Sequence, residues 1–212
     1  MTELEFIQAN KDKKLPEVAL LLSKHPELNK EYILAQINGL QKAKTKLPEL
    51  YNTKDIAFPS KLSLEQSSSE ITAIYKSKLV TGKKLLDLTG GFGVDSYYFS
   101  KQFEQVTHIE PNSELSKIVS KNIETLGANN IETVNSTAED FLSSNSSHFD
   151  IAYIDPSRRN ENERVFKLAD CAPNIVELQC DLFEVADQIL VKTAPLLAVS
   201  YTHLTLPTKV TV

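Results

Sequence analysis

The sequence has 212 residues, of which 41% are hydrophobic and 24% are charged, and its formal net charge is −5. This composition is ordinary for a globular protein and excludes a polycationic or low-complexity chain. No apolar stretch approaches the roughly 20 residues of a membrane span, and the N-terminus lacks the basic and apolar regions of a secretion signal. We therefore expect a cytoplasmic protein that does not bind membranes.

The two cysteines and the distribution of charge bear on metal binding and on the partners of the chain. Cys171 and Cys180 stand without a CxxC motif, so we expect two reduced thiols and no metal site. The charge is uneven, since residues 1–84 carry a net +4 and residues 85–212 a net −9. A mildly basic front half suits contacts with phosphate backbones, and it equally suits a solvated helical surface.

The first fifty residues predict short helices. Pro16 can open one helix and Pro26 can end it. Asn29 is a candidate N-cap for a helix over residues 30–47, which Pro48 stops and whose last part carries a cluster of lysines (Lys42, Lys44 and Lys46).

Residues 51–62 resemble a linker, and residues 63–80 predict another helix with several serine caps, Ser69 being the last. We expect residues 1–60 to form a small helical domain with its linker.

From residue 83 the pattern alternates between strands and helices. Strands are predicted at residues 83–89, 105–110, 131–137, 149–155 and 187–194, and helices at 94–103, 113–127 (capped by Ser113), 138–145 and 174–186. Such alternation predicts an α/β domain over residues 61–198, with a parallel sheet of five strands covered by helices on both faces.

Residues 199–212 do not continue this alternation. Their sequence, beginning VSYTHLTLPT, resembles the translation of an adapter used in DNA sequencing libraries. We expect a non-native tail, with the natural chain cut near Ala198. The alternative is a genuine edge strand, because Val, Tyr and Thr suit one.

The strongest motif is the glycine loop after the first predicted strand, DLTGGFGVD at residues 87–95, which holds three of the six glycines of the chain. A strand, a glycine loop and a helix can hold a nucleotide-like ligand at the carboxyl edge of a sheet. Ser96 stands where a dinucleotide motif has its third glycine, and Asp87 and Asp95 would repel a pyrophosphate. The loop fits S-adenosylmethionine, which has an ammonium group and no phosphate, better than NAD. A tight turn without a ligand is the alternative.

Three acids elsewhere extend this hypothesis. Glu110 closes the second predicted strand, where a carboxylate can accept both ribose hydroxyls. After the third strand, Asp140, or as second choice Glu139, could accept the adenine amino group, with Phe141 near the ring. An ordinary acid at a helix start is the alternative for this pair. Asp155 ends the fourth strand, and we expect it beside the transferable methyl group.

The residues after Asp155 point to substrate binding. Pro156 forces an extended exit from the strand. Arg158 and Arg159, two of three arginines in the chain, suit a phosphate or a base edge, and local salt bridges to Glu161 or Glu163 are the alternative.

Three segments, LLDLTGGFGVDSYYFSK, HIEPNSEL and YIDPSRR, together resemble the class I S-adenosylmethionine-dependent methyltransferases. Within them, the chain looks most like a bacterial group with a small N-terminal domain and a C-terminal THUMP-like domain, and it is distantly similar to trimethylguanosine synthases. The resemblance implies a Rossmann-like sheet and the following roles. The cofactor would be held by Asp87, Thr89, Gly90, Gly91, Phe92, Gly93, Glu110, Pro111 and Asp140, the target pocket would be lined by Asp155 and Pro156, and the substrate would be bound by Ser157, Arg158 and Arg159.

The chain departs from its relatives in two ways. Enzymes that methylate base amino groups carry D/N-P-P followed by an aromatic residue, whereas Ser157 and Arg158 stand here, which disfavours that reaction on a flipped base. Uracil-C5 methyltransferases need a cysteine after the fifth strand, where this chain has Lys192 and Thr193. Sheets of the family normally have seven strands, so we expect the sheet to be truncated and to expose an edge, which can cost the fragment its activity.

The sequence therefore favours a methyltransferase that uses S-adenosylmethionine and acts on RNA (tRNA or rRNA). A non-catalytic module that binds RNA or protein on the same fold is the alternative. An NAD(P)-dependent oxidoreductase is disfavoured by the missing third glycine. The oligomeric state is not predicted.

Overall fold

The computed structural model describes residues 1–157, 159–160, 163–164 and 171–193. Five strands form the main sheet: β1 (Lys84–Asp87), β2 (Gln105–Ile109), β3 (Ile131–Val134), β4 (Phe149–Ile154) and β7 (Ala186–Val191). Their order is β3-β2-β1-β4-β7, and every pair is parallel. Two short strands, β5 (Arg159–Asn160) and β6 (Glu163–Arg164), form a separate antiparallel pair. The predicted α/β class and five-stranded parallel sheet are confirmed.

Ten helices lie within the described residues. Six precede the sheet: α1 (Glu3–Asn10), α2 (Leu15–Leu22), α3 (Lys30–Lys46), α4 (Pro48–Asn52), α5 (Lys61–Gln66) and α6 (Glu70–Ser77). Four alternate with the strands: α7 (Val94–Ser100), α8 (Ser113–Thr125), α9 (Ala138–Ser144) and α10 (Gln179–Val185). In the described part of the chain, no helix is long and apolar enough to cross a bilayer.

The helix boundaries differ from the predictions at positions where a serine or a proline can start or end a helix. The helix predicted over residues 63–80 is two helices, because Ser67 is extended and Ser69 starts α6 by accepting a hydrogen bond from the Thr72 amide. Asn112, and not Ser113, caps α8. Pro48 does more than stop α3, since it also opens α4. The Asn29 cap of α3 is confirmed, with its side chain accepting from the Tyr32 amide.

Two side-chain amides form hydrogen bonds that hold the predicted linker after α4 against the rest of the molecule. Gln36 of α3 donates to the Phe58 carbonyl and accepts from the Phe58 amide, at 2.9 and 2.8 Å. Asn122 of α8 makes the same pair of bonds with Ala57, both at 2.8 Å. Phe58 is buried and its ring lies 6.1 Å from that of Phe92, in the glycine loop. The N-terminal helices and one face of the sheet thus share a core, and the predicted domain boundary at residue 60 stays a prediction.

A second contact ties α4 to α7 through one carboxylate. Glu49 accepts hydrogen bonds from the hydroxyls of Tyr97 and Tyr98, both at 2.7 Å, and from the Lys101 ammonium at 2.8 Å. The ammonium also lies over both tyrosine rings. Since burial and the nearby carboxylate disfavour the phenolates, the pKa of each tyrosine is raised above its ordinary value.

The packing of Gly39 against Phe58 generates a stability prediction. A Cβ atom on Gly39 would lie 2.3 Å from the Phe58 Cβ atom. We expect Gly39→Ala to lower the free energy of unfolding by roughly 1–3 kcal/mol through overpacking. This is the reverse of the roughly 1 kcal/mol gain that alanine brings inside a helix. Urea unfolding measures the change, with Thr45→Ala on the exposed side of α3 as the control. A stabilised Gly39→Ala variant would contradict the packing.

Candidate functional site

A cleft of about 940 Å³ opens at the carboxyl ends of the central strands. It lies where the chain connections diverge, since β1 is followed in space by β2 on one side and by β4 on the other. Ligands of open α/β sheets bind at such a point. Residues from four regions form its walls: Ser63, Gln66, Ser67 and Ser68 near α5; Leu88–Phe92, Val94 and Asp95; Glu110–Asn112, Leu115 and Thr137–Glu139; and Asp155–Ser157, Ala172, Pro173, Lys192 and Thr193.

The three loop glycines have separate reasons to be glycine. A Cβ atom on Gly90 would lie 2.1 Å from the His108 ring, and one on Gly93 would lie 2.8 Å from a Val119 methyl. Gly91 and Gly93 have φ angles of +53° and +76°, which favour glycine. At Gly91 the nearest atom to an added Cβ would be the Thr89 carbonyl, 3.9 Å away. Close ligand approach is therefore an argument for Gly91 alone.

Asp87 lies behind the loop and does not line the cleft. It is fully buried, and its carboxylate accepts hydrogen bonds from the Thr89 amide at 3.1 Å and the Ser96 hydroxyl at 2.5 Å. Burial raises the pKa of Asp87 to about 7. The Ser96 oxygen is also 2.9 Å from Nδ1 of His108, whose pKa burial lowers to about 4. The structure therefore places Asp87 under the glycine loop and not in the cleft wall, and its predicted role in holding the cofactor stays a prediction.

Glu110 sits at the cleft in the position that the sequence predicted. Its two carboxylate oxygens accept hydrogen bonds from the Gly91 amide at 3.0 Å and the Asn112 amide at 2.8 Å. The residue is only 8% exposed. Burial raises the pKa of Glu110, and the two amide bonds oppose that shift. Pro111 follows it in the cleft wall.

At the start of α9, the structure separates the two candidate acids. Glu139 lines the cleft, whereas Asp140 does not. Thr137 caps the helix by accepting from the Asp140 amide at 3.0 Å, and Phe141 packs into the core. Of the predicted pair, the second choice is the one at the cleft.

Asp155 lies in the cleft wall, where one contact holds its backbone and another holds its carboxylate. Its backbone amide donates to the Thr89 hydroxyl at 2.7 Å, which joins the end of β4 to the glycine loop. Its carboxylate forms an ion pair with Lys192, which follows β7, at 2.5 Å. Pro156 and Ser157 line the cleft as well, and the backbone of Ser157 pairs with that of Ala172. Arg158 lies outside the described residues, and for Arg159 only the backbone is described.

A buried polar network lies beside the cleft. The Lys76 ammonium of α6 contacts the Asp95 carboxylate at 2.6 Å, the Tyr153 hydroxyl at 2.7 Å and the Ser68 hydroxyl at 2.8 Å. Burial lowers the pKa of Lys76, and the Asp95 charge opposes that shift. Asp95, at the end of the glycine loop, is thus paired with a buried cation. Sequence analysis missed Lys76, whose only signal is a lysine amid the apolar residues of α6.

The lysine cluster of α3 makes contacts within the protein. Lys42 forms an ion pair with Glu65, and Lys44 approaches Asp12 at 3.4 Å. Lys46 donates to the carbonyls of Leu64 and Glu65 at the end of α5. None of the three lysines lines the cleft. Within the described residues, no group of three or more His, Cys, Asp or Glu side chains is placed to hold a metal ion.

Together, the strand order, the glycine loop after β1 and the acid after β2 define the Rossmann-like fold of the class I methyltransferases. Residues 66–174 match the family described as Conserved hypothetical protein 95. Because this match spans half of the chain, the chain belongs to that family. No curated protein shows significant similarity to it.

Solved structures share this fold. A proposed methyltransferase from Porphyromonas gingivalis W83 is 31% identical, with a TM-score of 0.75 over 92% of this chain. The chain spans 48% of that protein, or about half its length. An rRNA methylase from Streptococcus thermophilus is 12% identical over 55% of this chain and 63% of its own, with a TM-score of 0.42. A proposed methyltransferase from Streptococcus mutans, solved with SAH, is 13% identical over 56% and 65%, with a TM-score of 0.42. These two partial similarities carry no argument about function, and the predicted relations to THUMP-like proteins and trimethylguanosine synthases stay predictions.

The buried Asp87 generates a prediction about pH. Its native pKa of about 7 exceeds the ordinary 3.8, so between these values the native state binds more protons than the unfolded state. Raising the pH from 4 to 7 should therefore destabilise the wild-type protein relative to Asp87→Asn, by on the order of 1 kcal/mol per pH unit. Urea unfolding at a series of pH values measures this difference. Asp140→Asn, on the exposed side of α9, is the control, and a difference independent of pH would contradict the prediction.

Proposed function

We propose that the cleft binds S-adenosylmethionine and that the protein transfers its methyl group to an RNA substrate in the cytoplasm. The observation that carries this proposal is the Glu110 carboxylate, held at the cleft by the Gly91 and Asn112 amides. A carboxylate has about four acceptor positions, so two amide bonds leave capacity for the two hydroxyls of a ribose.

The space beside Glu110 suits the rest of such a ligand. Gly91 presents bare backbone there, with no atom closer than 3.9 Å to the position of an absent Cβ. Glu139 also lines the cleft, at the start of α9, which follows β3, the neighbour of β2 in the sheet. We propose that a nucleoside lies between them, with its ribose at Glu110 and its base toward Glu139.

The charge of the cleft favours a cationic ligand over a dinucleotide. The described lining residues include four acids, Asp95, Glu110, Glu139 and Asp155, and one cationic side chain, Lys192. A pyrophosphate would meet repulsion there, whereas an ammonium and a sulfonium would be attracted. This balance supports S-adenosylmethionine against NAD(P), as does Ser96 at the position where a dinucleotide motif has its third glycine.

When bound, the cofactor would supply a methyl group on a positively charged sulfur. The protein's task would be alignment of the acceptor, which is worth up to roughly 7–11 kcal/mol of the barrier. We propose that Asp155 accepts a hydrogen bond from the acceptor group and takes up its proton as the methyl group transfers. Pro156 and Ser157 would form the wall against which the acceptor lies.

The RNA substrate is supported by charge. Residues 1–84 carry a net +4, and α5, within this segment, borders the cleft through Ser63 and Gln66. A phosphate backbone that approaches the acceptor end would therefore meet the more basic half of the chain. Arg158 and Arg159 follow Asp155 in the sequence, and we propose that they contribute to the same surface.

Calorimetric titration with S-adenosylhomocysteine tests the cofactor. We expect micromolar binding, and we expect Glu110→Gln to weaken it by about tenfold to a hundredfold, because a carboxylate that accepts two hydroxyls is replaced by one acceptor and one donor. Glu114→Gln is the matched control, since Glu114 is an exposed acid in the first turn of α8. No binding by the wild-type chain, or equal binding by Glu110→Gln, would refute the proposal.

Transfer of a radioactive methyl group to bulk bacterial RNA tests the reaction. We expect incorporation by the wild-type chain and at least a tenfold loss in Asp155→Ala, since that variant lacks the proton acceptor. Binding of S-adenosylhomocysteine without any transfer would instead favour the non-catalytic alternative.

A further inference from the structure

Lys192 occupies a position in the cleft that the proposed reaction does not yet use. Strands β4 and β7 are parallel neighbours with Ile154 opposite Val191. The register therefore brings the next residue of each strand to the same edge, and the Lys192 amide still donates to the Ile154 carbonyl at 2.9 Å. Asp155 and Lys192 consequently leave the sheet side by side, and both line the cleft.

The pair differs from an exposed surface salt bridge. The side chains of Lys192 and Asp155 are 35% and 28% exposed, and their charged atoms are 2.5 Å apart. The Asp155 backbone is separately fixed by the Thr89 hydroxyl. With the backbone held at one point, the Lys192 contact is what sets the direction of the carboxylate.

Among the described residues, the two other lysines near the pair are engaged elsewhere. Lys76 is turned inward to Asp95, and Lys46 is turned to the α5 carbonyls. Burial lowers the pKa of both lysines, and the positive charge of Lys192 adds to each shift.

We propose that Lys192 is a positioning residue that orients and charge-balances the Asp155 carboxylate at the methyl-acceptor end of the cleft. This inference rests on the proposed function of the same site. It follows that the methyl-accepting group meets an ion pair and not a lone carboxylate. In this pair a hydrogen-bond acceptor, Asp155, lies beside a hydrogen-bond donor, Lys192. Methyl-accepting groups that present a hydrogen-bond donor next to a hydrogen-bond acceptor, such as the edge of a nucleobase or an amide, match that pair.

Sinefungin tests the inference without requiring the natural substrate. This analogue carries an amino group where the cofactor carries its transferable methyl group, so its ammonium would compete with Lys192 for Asp155. The measured quantity is the ratio of the dissociation constants of S-adenosylhomocysteine and sinefungin, determined by calorimetry on the 212-residue chain.

We expect Lys192→Met to raise the preference for sinefungin by about fivefold to tenfold, because Asp155 loses its partner cation. Lys192→Arg should keep the wild-type ratio, and Asp155→Asn should lower the preference. Lys83→Met is the matched control, since Lys83 is exposed beside Glu104 at the opposite end of β1. Thermal unfolding of each variant checks that the fold is retained.

The outcomes separate the two proposals. If S-adenosylhomocysteine binds and Lys192→Met leaves the ratio unchanged, the positioning role is refuted and the proposed function survives. If the wild-type chain does not bind S-adenosylhomocysteine, the proposed function itself fails. If Lys192→Met unfolds, the ratio in Lys192→Gln decides, and an unchanged ratio there refutes the positioning role.

Discussion

The hydrogen bond from the Gly91 amide to the Glu110 carboxylate is the contact on which the site depends. It joins the loop after β1 to the end of β2, at 3.0 Å, while Asn112 holds the other oxygen. The loop can present this amide only because Gly91 adopts a positive φ angle. One backbone conformation therefore orients the carboxylate and leaves bare backbone beside it.

The two acids that flank the glycine loop have different environments, although the sequence presents them alike. Asp87 is buried with the Ser96 hydroxyl and the Thr89 amide as partners, so burial dominates and its pKa rises to about 7. Asp95 is stabilised by the buried ammonium of Lys76. A buried carboxylate without a cation tends toward its protonated form, whereas a paired one keeps its charge. The loop is thus supported by one acid without a lysine partner and by one ion pair. Since Asp155 is paired with Lys192, the acids without a lysine partner among the described lining residues are Glu110 and Glu139.

The sequence could predict those features whose signal lies close in the chain to the element that it determines. Alternating apolar runs predicted the five strands, and Asn29 predicted the start of α3, because each signal lies within a few residues of its effect. Glu110 and Asp155 were found since strand ends in a parallel sheet share one edge. Lys192 was missed because its partner Asp155 is 37 positions away and the pairing depends on the β4–β7 register. For a related reason the sequence could not show which of Asp140 and Glu139 lines the cleft, since one residue of helical phase decides which acid faces it.

The N-terminal helices contribute directly to the cleft. Ser68, which lies between α5 and α6, lines the cleft and accepts from the same Lys76 ammonium that pairs with Asp95. Tyr153 of β4 donates to Asp95 as well. This network links the segment between α5 and α6 to the glycine loop and to the strand that ends at Asp155. Because its ions are buried, loss of one partner would leave an uncompensated charge. The segment between α5 and α6 is therefore held beside the cleft by the same interactions that hold the glycine loop.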